Sequence, residues 1–158
     1  MPVAYILVGV SGSGKSTWAY QQPWDMSRTV IAGTDKHIEK YAVDQGKTFD
    51  EVFKEGVLFA TEYMDEEIKQ AVAEDKDIVW DMSSVTKNCR ALRISQLPDY
   101  YKKIAVYFTP PPLDELKRRI ESRPGKTRIT FRSAAEDIER FLTYPTLDEG
   151  FAEIRKPW

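Results

Sequence analysis

The sequence predicts an α/β fold, a parallel β-sheet with helices on both faces. Short apolar, β-rich runs alternate along the 158 residues with segments of helical period. The first of these runs passes straight into a glycine-rich loop that opens a helix. No internal repeat, low-complexity tract or linker interrupts the pattern, so residues 1–158 read as a single domain. A chain of this length buries roughly 70% of its unfolded surface, enough for one core.

The elements follow in order. Val3 to Val8 is an unbroken apolar run, as expected of a strand buried on both faces. Ser16 to Gln22 reads as a first helix closed by Pro23, and Thr29 to Ala32 as a second strand ending in Gly33-Thr34-Asp35. Lys36 to Val43 is a short helix. From Phe49 to Ala73 apolar residues recur at three and four, predicting an amphipathic helix with a break near Gly56. Asp77 to Asp81 is a third buried strand ending on a carboxylate, and Asn88 to Leu97 a helix stopped by Pro98. Ile104 to Phe108 is a fourth strand. Leu113 to Ser122 and Ser133 to Thr143 are helices around a loop at Arg123-Pro124-Gly125-Lys126, and Phe151 to Ile154 a last strand. In such sheets ligands collect at the carboxyl ends of the strands, where the loop, Asp35 and Asp81 all fall.

Gly9-Val10-Ser11-Gly12-Ser13-Gly14-Lys15-Ser16-Thr17 matches the Walker A pattern at every fixed position. Strand, glycine loop and helix give it the required context, so the fold class narrows to a P-loop NTPase-type sheet. Glycines let the backbone curl its N–H groups around a phosphate, and the helix N-terminus adds its positive dipole end. Gly12, Ser13, Gly14, Lys15, Ser16 and Thr17 are the expected nucleotide-binding residues. Lys15 would reach the β- and γ-phosphates, and the Ser16 hydroxyl would ligate Mg²⁺. The cofactors read here are ATP, with GTP not distinguished, and Mg²⁺.

Composition excludes other classes. Apolar content of 42% and charged content of 30% are those of a soluble globular protein. No apolar run approaches the roughly 20 residues that span a bilayer, and the first run lacks the basic flank of a signal peptide. A lone cysteine, Cys89, forms no internal disulfide and suits a reducing cytoplasm. Net charge is −2, but residues 102–132 hold nine Lys/Arg against three Asp/Glu, a local +6. That segment reads as a local anion site rather than a general nucleic-acid surface.

The remaining polar residues must separate one phosphate-loop activity from another. No Asn-Lys-x-Asp guanine reader is present, and the chain is short for a mechanical ATPase. Asp35 either takes a proton from an acceptor hydroxyl or caps the next helix, and spacing alone does not decide. Asp81 has the position of a Walker B aspartate, able to hold Mg²⁺ through water or to bind an acceptor, with Ser83 on the same rim. Arg118, Arg119, Arg123, Lys126 and Arg128 surround a Pro-Gly hinge, as in a mobile lid at about 118–132. Helical spacing cannot aim all five at one ligand, and Arg123, at the junction of helix and loop, is the best placed. His37, the only histidine, reads as a surface residue.

Taken together these stretches resemble the kinase domain of phage polynucleotide 5′-hydroxyl kinases and the small P-loop kinases around it. The resemblance rests on Gly9 to Ala19, Thr34-Asp35, Val79-Trp80-Asp81, Leu116 to Arg119 with Arg123, and Tyr144 to Phe151, and so spans nearly the whole chain. It implies transfer of the ATP γ-phosphate to a 5′-hydroxyl of DNA or RNA by a stand-alone kinase. Lys15, Asp35 and Arg123 would be catalytic, Asp35 as base, with Asp81 on the acceptor; Ser83 joins it there by its place on the same rim alone. Two positions depart from the family. Ile38 stands where it places an arginine against the acceptor's phosphate, and Met82-Ser83 where it tends to have Thr-Asn. Two alternatives therefore stand beside the first reading: a kinase of a nucleoside, a modified-base hydroxymethyl group or another small alcohol, and a non-catalytic nucleotide-binding protein.

Overall fold

The computed structural model describes residues 1–158. Five strands form one fully parallel sheet: β1 (Val3–Val8), β2 (Thr29–Ala32), β3 (Asp77–Trp80), β4 (Lys102–Tyr107) and β5 (Glu153–Arg155), in spatial order β2-β3-β1-β4-β5. The helices are α1 (Lys15–Gln21), α2 (Asp35–Gln45), α3 (Phe49–Ala73), α4 (Lys87–Ser95), α5 (Leu113–Glu121) and α6 (Phe131–Glu136). The strand period of two divides the core. Ala4, Ile78 and Trp80 meet Met64, Ile68 and Ala71 of α3 on one face. Leu7, Ile31, Val79 and Val106 meet Trp18 and Ala19 of α1 on the other. With β1 central, its C-terminal end, from which the glycine loop leaves, lies between those of β3 and β4.

Several element boundaries differ from the sequence expectation, each for a local reason. α3 does not break at Gly56. The glycine is buried against Ile38, and a Cβ there would stand 3.4 Å from Ile38 Cγ2, so it marks close approach of α2 to α3. A reciprocal capping box of Thr48 and Glu51 starts α3. The expected helix at 133–143 starts earlier, with Thr130 as its cap, and widens into a π-turn at Asp137–Phe141. β5 begins at Glu153 rather than Phe151, whose ring is buried among Ile6, Val8 and Ala105. No helix is long and apolar enough to cross a membrane.

One polar group is buried as deeply as the apolar core. Arg90 of α4 is 0% exposed. Its Nε and Nη2 donate to Glu149 Oε1 and Oε2 at 2.7 and 3.1 Å. Nη1 donates to the carbonyls of Ser84, Val85 and Thr143. The guanidinium thereby ties the loop after β3 to the segment at 143–149. Burial pushes the Glu149 carboxyl up, but hydrogen bonds from Arg90 and the Thr146 N–H, with the Arg90 charge, outweigh it and hold the group below its ordinary 4.5.

Removing one partner leaves the other charge buried and unpaired. Glu149→Ala should therefore cost about 3–5 kcal/mol of stability, read as a lowered urea midpoint. Because Glu149 is held below its usual range, its contribution is complete above pH 4.5 and is lost as pH falls. The wild-type advantage over Glu149→Ala should shrink in acid. A constant difference from pH 7 down to pH 3 would contradict this account.

Candidate functional site

The loop after β1 closes into its phosphate-cradling shape because two residues have no Cβ. Gly12 and Gly14 take φ of +84° and +99°, the left-handed region. A side chain at Gly12 would also meet Leu116 Cδ1 at 2.9 Å, since α5 packs directly beneath the loop. Across the loop's base, the Gly9 N–H donates to the Ser83 carbonyl at 3.0 Å and fixes it to the segment after β3.

One cavity of about 190 Å³ opens on this edge of the sheet. From the loop and α1 come Gly12, Gly14, Lys15, Ser16 and Thr17; from the ends of β2 and β3 come Thr34, Asp35, Asp81, Met82 and Ser83. Arg123 and Ile129 close it from the basic segment. The residues expected from the sequence thus share one wall-to-wall space, with one exception. Ser13 is buried under the loop; its hydroxyl has no partner and its N–H donates to the Val10 carbonyl at 3.2 Å.

The electrostatics are those of a site built for anions. The Lys15 ammonium is buried and donates to the Val10 carbonyl at 2.9 Å. Burial lowers its pKa from 10.5 to about 8, with the Arg123 charge adding to the depression and the carboxylates of Asp81 and Asp35 opposing it. Burial raises Asp81, against the Ser16 hydroxyl bond and the Lys15 charge that lower it. Ser16 Oγ donates to Asp81 Oδ2 at 2.8 Å, so the hydroxyl opening α1 and the carboxylate closing β3 form one oxygen pair. Asp35 is the first residue of α2, whose N-cap is Thr34, and makes no capping bond. Its carboxylate lines the cavity.

The basic segment sorts into different tasks. Arg119 Nη1 donates to the Gly12 carbonyl at 3.0 Å, a contact with the loop that helical spacing did not single out. Arg118 is exposed and paired with Glu115. Lys126 pairs with Glu39 of α2, and Arg128 lies 4.1 Å over the Phe53 ring. Asp50 accepts from Thr127 N and Oγ1 and from Arg128 N, while its own N–H donates to Gly125 O. The segment is docked on α2 and α3, leaving Arg123 in the cavity. His37 lies outside the cavity, its Nε2 2.5 Å from Glu67 Oε1 and its ring stacked 5.4 Å from Tyr63. Cys89 is exposed on α4.

Comparison with known proteins agrees with this architecture. An AAA domain family model matches residues 5–144. Among solved structures, a chain of the Pnkp1/Rnl/Hen1 RNA repair complex superposes with a TM-score of 0.62 at 21% identity, covering 86% of this chain and 42% of its own. A putative kinase from Chloroflexus aurantiacus j-10-fl gives 0.69 at 16% identity, over 98% and 84%. A fungal RNA kinase gives 0.59 at 16% identity, over 98% and 38%. The chain therefore spans less than half the length of both RNA-processing neighbours, and at these identities the likeness is one of fold. No curated protein matches the sequence.

The buried ammonium yields a stability prediction. Its charged form is penalised at neutral pH, and the penalty is relieved only as pH rises from about 8 towards 10.5. In the absence of nucleotide, Lys15→Met should raise stability at pH 7 by about 1–3 kcal/mol, part of the electrostatic gain being offset by the lost bond to Val10. A chemical melt showing the variant less stable than wild type would mean the ammonium is not under this penalty.

Proposed function

The chain belongs to the AAA domain family, and from that premise we propose that it is an ATP-dependent phosphotransferase acting on an alcohol, with the 5′-hydroxyl of DNA or RNA as acceptor. The observation that carries the reading is the convergence of Lys15, Ser16, Asp35, Asp81 and Arg123 on one cavity. A protein that only binds nucleotide has no use for a carboxylate free of capping duty beside the phosphate end of the loop. The similarity of fold to an RNA kinase and to an RNA repair complex supports a nucleic-acid acceptor.

In this reading the loop N–H groups and Lys15 hold the β- and γ-phosphates. The acceptor hydroxyl sits between Asp35 and the γ-phosphorus. As its oxygen bonds to phosphorus, its proton passes to the Asp35 carboxylate, and the bond to the ADP oxygen breaks. Lys15 and Arg123 stabilise the negative charge spread over the transferring group. A magnesium ion fits the Ser16–Asp81 oxygen pair, because Mg²⁺ takes few protein oxygens and keeps phosphate and water ligands. When bound, it would neutralise phosphate charge.

One observation favours a second reading. Ile38 is fully buried against Gly56, so the position where the resembling kinases carry an acceptor-binding arginine faces the α2–α3 core. A small alcohol without a phosphate beside its hydroxyl needs no such cation.

Asp35→Asn separates transfer from binding. Asp35 is the first residue of α2 and makes no capping bond, so the amide should leave folding and calorimetric ATP affinity nearly unchanged. Turnover should fall by about 10²–10⁴, the usual contribution of a positioned base. Unchanged turnover on a 5′-hydroxyl oligonucleotide and on a panel of small alcohols, with normal ATP binding, would refute the assignment of Asp35.

Arg123→Ala tests the charge clamp. It should lower kcat by on the order of 10³, whereas Arg119→Ala, which loses a contact to the loop backbone, should lower kcat much less. Small and equal effects in steady-state assays would show the basic segment to be surface.

A further inference from the structure

A second cavity, of about 360 Å³, adjoins the first and is lined by Gly12, Gly14, Thr17, Arg119, Arg123 and Trp158. It shares Gly12, Gly14, Thr17 and Arg123 with the catalytic cavity but none of its carboxylates. The two therefore lie along the same stretch of phosphate loop. In such a loop the lysine reaches the β- and γ-phosphates, so the γ end of a triphosphate points towards Asp35 and Asp81. The opposite end leaves past Gly14 and Thr17, into the second cavity.

Trp158 is the unexpected member of this cavity. Its side chain is 78% exposed, yet it is not a loose residue. The preceding Pro157 carbonyl accepts from Trp18 Nε1 at 3.0 Å, and the Trp158 ring stands edge-on to Phe108 at 6.0 Å. It leans on the loop so closely that a Cβ on Gly14 would lie 3.5 Å from Trp158 Cη2. An indole held edge-on against Phe108, with most of its surface exposed beside a phosphate loop, offers a face for stacking. Arg119 supplies a second planar group. Nε and Nη1 are committed to Glu115 and Gly12, and these bonds hold the guanidinium in place.

We propose that Trp158, with Arg119, forms the nucleobase subsite, and that it holds the base by stacking without reading its hydrogen-bonding edge. The inference rests on the nucleotide-binding part of the function proposed above. No Asp, Glu, Asn or Gln lines this cavity. The one side-chain hydroxyl in it is that of Thr17, at the phosphate end, so the lining offers no amide or carboxylate to pair a purine edge, and adenine and guanine present equally good π faces. ATP and GTP are then equivalent phosphate donors for this protein.

The test measures equilibrium binding of ATP, GTP and inorganic tripolyphosphate, which has no base, to the full chain by calorimetry. Wild type should bind ATP and GTP within about threefold of each other. Trp158→Ala should weaken both by about tenfold, the scale of one lost aromatic–base stack, and leave tripolyphosphate unchanged. Trp158→Phe should restore most of the loss, and the unchanged tripolyphosphate binding shows that the loop itself is intact. The proposal is overturned if Trp158→Ala binds ATP and GTP as wild type does while tripolyphosphate still binds. It is equally overturned by a preference above tenfold between the two purines. Failure of tripolyphosphate and both nucleotides to bind wild type would overturn the phosphotransferase reading and this subsite with it.

Discussion

A buried ammonium governs this edge of the molecule. Lys15 is held inside its own loop by the Val10 carbonyl, at a cost that shows in its depressed pKa. Nothing in direct contact neutralises it; Asp81 and Asp35 act on it through space. The features around it follow from that constraint. The loop stays closed because Gly12 and Gly14 adopt left-handed backbone, because Leu116 of α5 fills the space under Gly12, and because Gly9 is tied to Ser83. A cation that is costly by itself is offset by the negative charge of a polyphosphate. Stability is given up at Lys15 in return for a cation that needs no rearrangement.

The basic segment solves a related problem of sorting. Seven of its cations lie within residues 117–132, and uncoordinated they would repel one another and any one phosphate geometry would use few. Glu115 takes Arg118 and one edge of Arg119, Glu39 takes Lys126, and the ring of Phe53 takes Arg128. Asp50, near the start of α3, binds the backbone of Thr127 and Arg128. What remains directed into the cavity is Arg123. The segment is thereby anchored to α2, the helix that opens with Asp35, so the position of the cation depends on the helix bearing the carboxylate.

The sheet and most helices were legible in the sequence because they rest on local signals: unbroken apolar runs for strands buried on both faces, and three-four periodicity for α3. The glycine motif and the strand-end aspartates located the site for the same reason, since topology carries strand ends to one edge. What the sequence concealed is pairwise. Gly56 reads as a helix breaker until Ile38 is seen packed against it. The clamp of Arg90 on Glu149 joins residues 59 positions apart, and no periodicity announces it. Arg119 is one of five similar cations, and only its bond to Gly12 distinguishes it. Asp35 reads as a helix cap until Thr34 is found in the N-cap position and Asp35 one residue inside the helix. Local chemistry is written in the sequence at short range; partner choice is set by the fold.

The site is more completely specified on one side than on the other. Its phosphate side is fixed by backbone: glycine dihedrals, a lysine on a carbonyl, a serine on an aspartate. The rest of the cavity wall is Thr34, Met82, Ser83 and Ile129, short or apolar side chains, and its only cation besides Lys15 is Arg123. An acceptor bearing its own phosphate near the hydroxyl would compete for that arginine and would face Asp35 and Asp81. Lys126, the next cation along the basic segment, lies outside this cavity and is paired with Glu39. A neutral alcohol would meet no such competition. On this wall the polymer reading asks for a phosphate contact from beyond the lining residues, and the small-alcohol reading does not.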